Sequence, residues 1–163
     1  EYDEAALSDV FFNYGELRNA KILARNIVLA RSEKPIVTTQ DLITVVRPLV
    51  PERIENKILA QLFQAIRIEV NNELEVLQTF LLQAVDALNP GGRLVCISYH
   101  SLEDRLVKRY MQNGNFEGRE EKDFYGNPLG VFRKIGRLRV PSAEEVKRNS
   151  RARSAKLRIA EKR

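Results

Sequence analysis

The stretch Asn89-Pro90-Gly91-Gly92-Arg93-Leu94-Val95-Cys96-Ile97-Ser98-Tyr99-His100-Ser101-Leu102-Glu103-Asp104-Arg105 decides the fold class. Its first four residues are a turn signal, with glycine available for positive φ. Arg93 to Tyr99 is short, continuous and apolar, and it follows a helical segment directly, so it reads as a buried strand. Ser101, with Asp104 three residues on, reads as the cap of a further helix from Leu102 to about Gln112. Helix, strand and helix in this order are a piece of an α/β domain.

Upstream of that stretch the periodicity is helical throughout. Ala5 to Tyr14 is a short amphipathic segment that Gly15 stops. A longer helix is expected from Glu16 to Arg31, with Leu17, Ala20, Ala24, Ile27 and Val28 on one side and Arg18, Lys21 and Arg25 on the other. Lys34-Pro35 breaks it. Thr38 followed by Asp41 reads as an N-cap with an acidic first turn, opening a short helix that ends near Pro48. Glu55 to Asn71 is strongly patterned, with Ile58, Leu62 and Ile66 at i, i+4, i+8 and Leu59, Phe63 and Val70 beside them. A further helix runs from Glu73 to Leu88.

Downstream, Gly114 to Pro128 is rich in Gly, Asn and charge and reads as a flexible loop. Val131 to Ile135 reads as a strand. Ser142 and Glu145 form a capping box for a short helix ending near Asn149. Ser154 to Ala160 alternates, Ala155, Leu157 and Ile159 against Lys156 and Arg158, which suits an edge or late strand. No internal repeat or low-complexity tract is present. Two or three strands cannot make a self-sufficient open sheet with helices on both faces. The expectation is therefore a helical unit over residues 1–51 and part of an α/β domain over 52–163, meeting near Leu49 to Glu55.

Composition narrows the class. The chain has 163 residues, 44% of them hydrophobic, which fits a folded domain with a real core. No apolar run approaches the ~20 residues that span a bilayer. The longest, Val76 to Leu88, is interrupted by Gln78, Gln83 and Asp86. Glu1, Asp3 and Glu4 stand where a signal peptide would be basic. The one cysteine, Cys96, excludes an intrachain disulfide and reads as a buried, inert thiol in a reducing cytosol. One Cys and one His argue against a zinc site, and no metal is expected. The net charge is +5, but Arg133 to Arg163 carries twelve Lys and Arg against three acids, a local +9 against −4 for the rest. Such asymmetry points to an acidic partner, nucleic acid first, or else to a solvated basic surface.

Several runs together resemble one family. They are Tyr14-Gly15-Glu16 leading into Ala20 to Arg31; Phe63-Gln64-Ala65-Ile66-Arg67-Ile68-Glu69-Val70-Asn71-Asn72-Glu73-Leu74; Leu88 to Leu94; Ile97 to Arg105; and Asn149-Ser150-Arg151-Ala152-Arg153-Ser154-Ala155-Lys156-Leu157-Arg158. On these the chain resembles, along nearly its whole length, the 16S rRNA (cytosine-N4)-methyltransferases, the RsmH or MraW family. Pro-Gly-Gly before a strand is weak support. The Ser98 to Arg105 and Arg151 to Arg158 runs are long, unusual and in the same order, which is strong support. Tyr99 stands where the family suggests Phe, and Ser150 where it suggests Pro.

The resemblance implies a Rossmann-like methyltransferase core interrupted by a helical insertion. It also implies S-adenosylmethionine as methyl donor, and a cytidine of 16S rRNA in the small ribosomal subunit as acceptor. It further implies a cytoplasmic protein with no membrane association. Residues 1–51 would belong to the insertion and 52–163 to the C-terminal half of the core, with the basic strand last. A Rossmann-like fold binds its cofactor at a Gly-rich turn leaving the first strand. The one glycine pair here, Gly91-Gly92, enters a strand instead. No cofactor-binding residue is therefore expected in this chain, and the chain alone is expected to be inactive.

The candidate catalytic residues are His100, Ser98 and Glu103, just past the C-terminal end of a predicted strand, where ligands bind in open α/β sheets. His100 could orient, or take a proton from, the cytosine amino group, whose lone pair is delocalised into the ring; the alternative is that it only caps or orders the strand–helix turn. Arg67 and Asn71 are candidates for the active-site wall or for a buried ion pair holding two helices. Arg105, Arg151, Arg153, Lys156 and Arg158 are candidates for RNA contact. Arg18, Lys21 and Arg25 are a weaker basic group. Phe116, Phe124, Tyr125 and Phe132 could stack on bases or pack ordinarily. Two other classes compete: a non-catalytic rRNA-binding module, and a fragment that self-associates through an exposed core face.

Overall fold

The computed structural model describes residues 2–126 and 129–163. The chain divides into two compact units, Glu1–Glu73 and Leu74–Arg163. The division expected from the sequence lay earlier, near Leu49 to Glu55. The difference comes from the fourth helix, whose Leu62 and Ala65 share one apolar cluster with the helices before it.

In the first unit, α1 (Glu4–Asn13) starts at Asp3, whose carboxylate accepts the Ala6 amide at 2.8 Å. The chain then turns sharply. A Cβ on Gly15 would stand 2.7 Å from the Phe11 carbonyl, and Glu16 takes φ +52°. That left-handed residue delays α2 to Ala20–Glu33, four residues after the expected start at Glu16. Lys34 is extended ahead of Pro35, as that dipeptide predicts. Helix α3 (Thr39–Val46) carries the full Thr38/Asp41 capping box. Two 3-10 turns, Arg47–Leu49 and Glu52–Ile54, lead into α4 (Glu55–Asn71). Phe11, Leu17, Leu23, Val46 and Leu62 are fully buried in the core. The buried line of α4 is Leu62, Ala65 and Ile68. Val70, expected beside that face, is 73% exposed. At 100° per residue it has rotated out of the stripe.

In the second unit, α5 (Glu73–Ala87) leads through the Asn89–Gly92 turn, with Gly91 at φ +80°, into β1 (Arg93–Ser98). Then follow α6 (Ser101–Asn113), β2 (Phe132–Lys134), α7 (Ala143–Arg148), a 3-10 turn (Ser150–Ser154) and β3 (Lys156–Lys162). Residues 127 and 128, the end of the predicted loop, lie outside the described residues. The strand order is β1-β3-β2, antiparallel throughout. The last strand in sequence is thus the central one, not an edge. β1 is not buried on both faces: Leu94 and Ser98 are buried, while Val95 and Ile97 are 54% and 59% exposed. Leu81 of α5, Leu94, Val107, Tyr110 and Met111 of α6, Phe132 and Ala160 form the core here. Phe116 stacks on Tyr110 at 4.9 Å and Phe132 meets it edge-on, so two of the four loop aromatics pack ordinarily. Phe124 and Tyr125 are 98% and 85% exposed.

The register sorts β3 into two faces. Opposite Leu94, Cys96 and Ser98 stand Ala160, Arg158 and Lys156, facing the packed side with Phe132 and Lys162. The apolar residues Leu157 and Ile159 lie on the other face with Val95 and Ile97. The charged row of the strand therefore faces inward, which is stable only because each cation meets a partner. Lys156 and Arg158 meet Asp104 of α6. The Lys162 ammonium donates to the Val85 and Leu88 carbonyls, at 2.6 and 2.8 Å, where α5 runs out of its own donors. On the outer face Glu161 accepts from Arg93 on one neighbouring strand and Arg133 on the other.

Candidate functional site

The Ser98–Glu103 turn is built on His100, which caps the helix as the alternative reading of that residue expects. The N-cap of α6 is His100, not Ser101. His100 is extended (φ −130°, ψ 165°), and its Nδ1 accepts the Glu103 amide at 3.4 Å. Glu103 closes the box, accepting the Tyr99 amide at 2.9 Å and the His100 amide at 3.4 Å on Oε2. The expected Ser101/Asp104 box is displaced by one residue because Asp104 is drawn to Arg158 and Lys156 instead. His100 thereby spends the lone pair of Nδ1 on the backbone, so the neutral ring carries its proton on Nε2.

Nε2 is buried and makes no hydrogen bond among the described residues. It lies 3.3 Å from Glu103 Oε1, close but poorly angled. Glu103 is held down to about 2, first by the His100 side chain and then by the Tyr99 and His100 amides, against the upward push of burial. Glu103 is thus an anion with its lone pairs committed, and a weak proton acceptor at neutral pH.

Behind the turn, Ser98 is buried and its hydroxyl makes a long 3.5 Å contact to the Lys156 carbonyl. Asp104, 7% exposed, takes Arg158 in a bidentate pair (2.7 and 3.0 Å) and Lys156 at 3.2 Å. Burial pushes its carboxyl up, but the two cations outweigh that, and it ends below the usual carboxylate range. Burial also raises the Cys96 thiol, in keeping with an inert side chain.

The structure brings Ser98, His100, Glu103, Lys156 and Arg158 together in the second unit. Arg151 and Arg153 are exposed on the 3-10 turn before β3, on either side of buried Ala152, with no side-chain partner among the described residues. Arg105 is exposed on α6. In the first unit Arg67 forms a forked pair with Glu73 (2.8 and 3.1 Å), and Asn71 donates to the same carboxylate at 3.2 Å. Left-handed Asn72 makes the turn that closes this cluster. The partner expected for Arg67 is there, but the guanidinium is 56% exposed rather than buried. Tyr99, 56% exposed beside His100, went unremarked as a site residue; an aromatic at a strand's carboxyl end was the available signal.

The second unit thus sets an ordered polar turn at the carboxyl end of β1 on a small antiparallel sheet packed with helices. The sequence model of the MraW methylase family matches residues 1–163, the whole chain. The chain belongs to that family. It is 60% identical over 162 residues to a ribosomal RNA small subunit methyltransferase H of Flavobacterium johnsoniae, covering 99% of this chain and 54% of that protein. The protein of the same name from Phocaeicola vulgatus is 54% identical over 163 residues, again with 99% and 54% covered. The chain spans about half the length of the curated relatives it matches. No helix among the described residues is long and apolar enough to cross a membrane.

Proposed function

We propose that this chain supplies the acceptor side of an S-adenosylmethionine-dependent methyltransferase that modifies N4 of a cytidine in 16S rRNA of the small ribosomal subunit. The reading rests above all on the Ser98–Glu103 turn, an ordered polar turn at a strand end that a passive RNA binder would not need. In it the first unit serves as the helical insertion and the second as the back of a Rossmann-like core, in the cytoplasm.

The donor group itself does not fit these residues. Gly91 takes positive φ in the turn before β1, and a Cβ on Gly92 would strike its own turn, 2.8 Å from the Asn89 carbonyl. Neither glycine follows a strand to cradle a ligand. No residue of this chain is therefore proposed as a cofactor ligand.

The acceptor chemistry is a matter of positioning. The cytosine amino group must be held so that its nitrogen faces the methyl carbon, and it must lose a proton as the N–C bond forms. Tyr99 offers an exposed ring for stacking. His100 is a positioning residue: Nδ1 holds the turn and Nε2–H is left as a donor. Glu103 fixes the backbone from Tyr99 to His100. Ser98 anchors the strand end against β3. Arg105, Arg151 and Arg153 are proposed RNA contacts; Lys156 and Arg158 supply positive potential from behind Asp104. Arg67 and Asn71, ordered by Glu73 in the first unit, are proposed RNA contacts of that unit.

The test is methyl transfer to 16S rRNA by the intact enzyme, with nucleoside analysis of the product. N4-methylcytidine is the expected product. Methylation at another atom, or none with a folded enzyme, overturns the reading. Self-association through the apolar outer face of β1 and β3 is a separate proposal that light scattering of the chain would decide.

A further inference from the structure

The register of β3 with the chain after β2 is broken at one place. The Ile135 amide donates to the Ile159 carbonyl at 2.9 Å, and Arg139 and Leu157 exchange a pair of bonds at 3.1 and 2.9 Å. Between these rungs β3 advances two residues while the opposing chain advances four. Gly136, Arg137 and Leu138 bulge out, and Gly136 takes φ +67°, which favours glycine. The bulge faces the last turns of α6 and opens a shallow recess of about 50 Å³.

The chemistry of the recess is uniform. Its walls carry Lys108, Lys134, Arg137 and Arg158 and no carboxylate. Arg158 is neutralised by Asp104, but Lys108, Lys134 and Arg137 have no side-chain partner among the described residues. The amides of Gly136, Arg137 and Leu138 donate no hydrogen bond among the described residues. Three uncommitted cations lining one concave surface favour an anionic ligand there. The floor, Met111, Ile135 and Ile159, is apolar and suits a ribose or base face.

We propose that this recess is a phosphate-binding subsite for single-stranded RNA flanking the nucleotide held at the Ser98–Glu103 turn. The inference rests on the rRNA reading above. α6 joins the two places. Its first turn carries the His100/Glu103 box, and Lys108 to Gln112 lie roughly 12–18 Å along its axis at ~1.5 Å per residue. Asp104 sits between them and offsets one of the two charges of Lys156 and Arg158, while Lys108, Lys134 and Arg137 stand without a carboxylate at the recess.

The test measures binding of a labelled 20-nucleotide single-stranded RNA to this chain across a salt series, with polyglutamate as competitor. The triple variant K108Q/K134Q/R137Q changes exposed side chains only, and its melting temperature should equal that of the parent. We expect it to bind about tenfold more weakly at ~0.1 M salt. The slope of log K against log salt should fall by about 2, from three phosphate contacts at ~0.7 each on a single strand. If the parent binds RNA and the variant keeps both affinity and slope, the subsite falls and the rRNA reading stands. If the parent shows no salt-dependent RNA binding, the rRNA reading of this chain falls too. Equal displacement by polyglutamate would overturn the assignment to RNA.

Discussion

His100 uses one ring nitrogen to hold the start of α6, and that fixes what the other can do. His100→Asn keeps a side-chain acceptor at the cap and should leave stability within ~0.5 kcal/mol, whereas His100→Ala should cost about 1 kcal/mol. For a positioning residue, the intact enzyme with His100→Asn keeps methyl transfer within a few-fold; a loss of ~100-fold or more in a folded variant would assign the imidazole to proton transfer instead. Asp104 poses a different problem. Removing its charge with Asp104→Asn leaves Arg158 facing inward with no counter-ion, and we expect a loss of about 2–4 kcal/mol in denaturant unfolding, the partial exposure of Lys156 keeping it from being larger. A loss under ~0.5 kcal/mol would mean that both cations find water. The sequence placed His100 at the turn but could not say which residue caps. Ser101-x-x-Asp104 and His100-x-x-Glu103 both have capping spacing, and the choice is made by Arg158, 54 residues away from Asp104.

At the level of elements, local chemistry was a good guide wherever the chain itself supplies the partner. Thr38/Asp41, the Lys34-Pro35 break and the Asn89–Gly92 turn appear where the sequence puts them, and of the Ser142/Glu145 box the Ser142 cap forms. What stayed hidden is which face of β3 turns inward. Alternation separates Lys156 and Arg158 from Leu157 and Ile159, but only tertiary partners make the charged row the inner one. Lys162 is the clearest instance, since its ammonium completes the end of α5. Lys162→Met should cost about 1–2 kcal/mol and lower the hydrogen-exchange protection of the last turn of α5; unchanged protection there would refute the cap. The Glu103 box gives α6 a pH dependence. Its folded value of about 2 lies below the ordinary 4.5, so its contribution is present above pH ~4.5 and is lost as pH falls toward 2. Across that window Glu103→Gln should show a flatter stability curve than the parent.

At the scale of the whole chain, one apolar cluster lies in each of the two units. The helical half was legible because its period is local. The division after Glu73 was not, because nothing in the α4 pattern tells which neighbours it packs against. Titrating S-adenosylmethionine calorimetrically into this chain should give no saturable heat; stoichiometric binding would require the Ser98–Arg105 region to be re-read as part of a donor site. The position of β3 has a consequence for how the protein is made. β1 and β2 pair with β3 and not with each other. On the ribosome β1 is finished at Ser98, but its partner begins at Lys156, so at ~5–20 residues per second the strand waits about 3–12 s without its hydrogen bonds. Through that interval the hydrogen-bonding edge of β1 stands open on the nascent chain, a template on which a trigger-type chaperone or a neighbouring polysome product can act before the sheet closes.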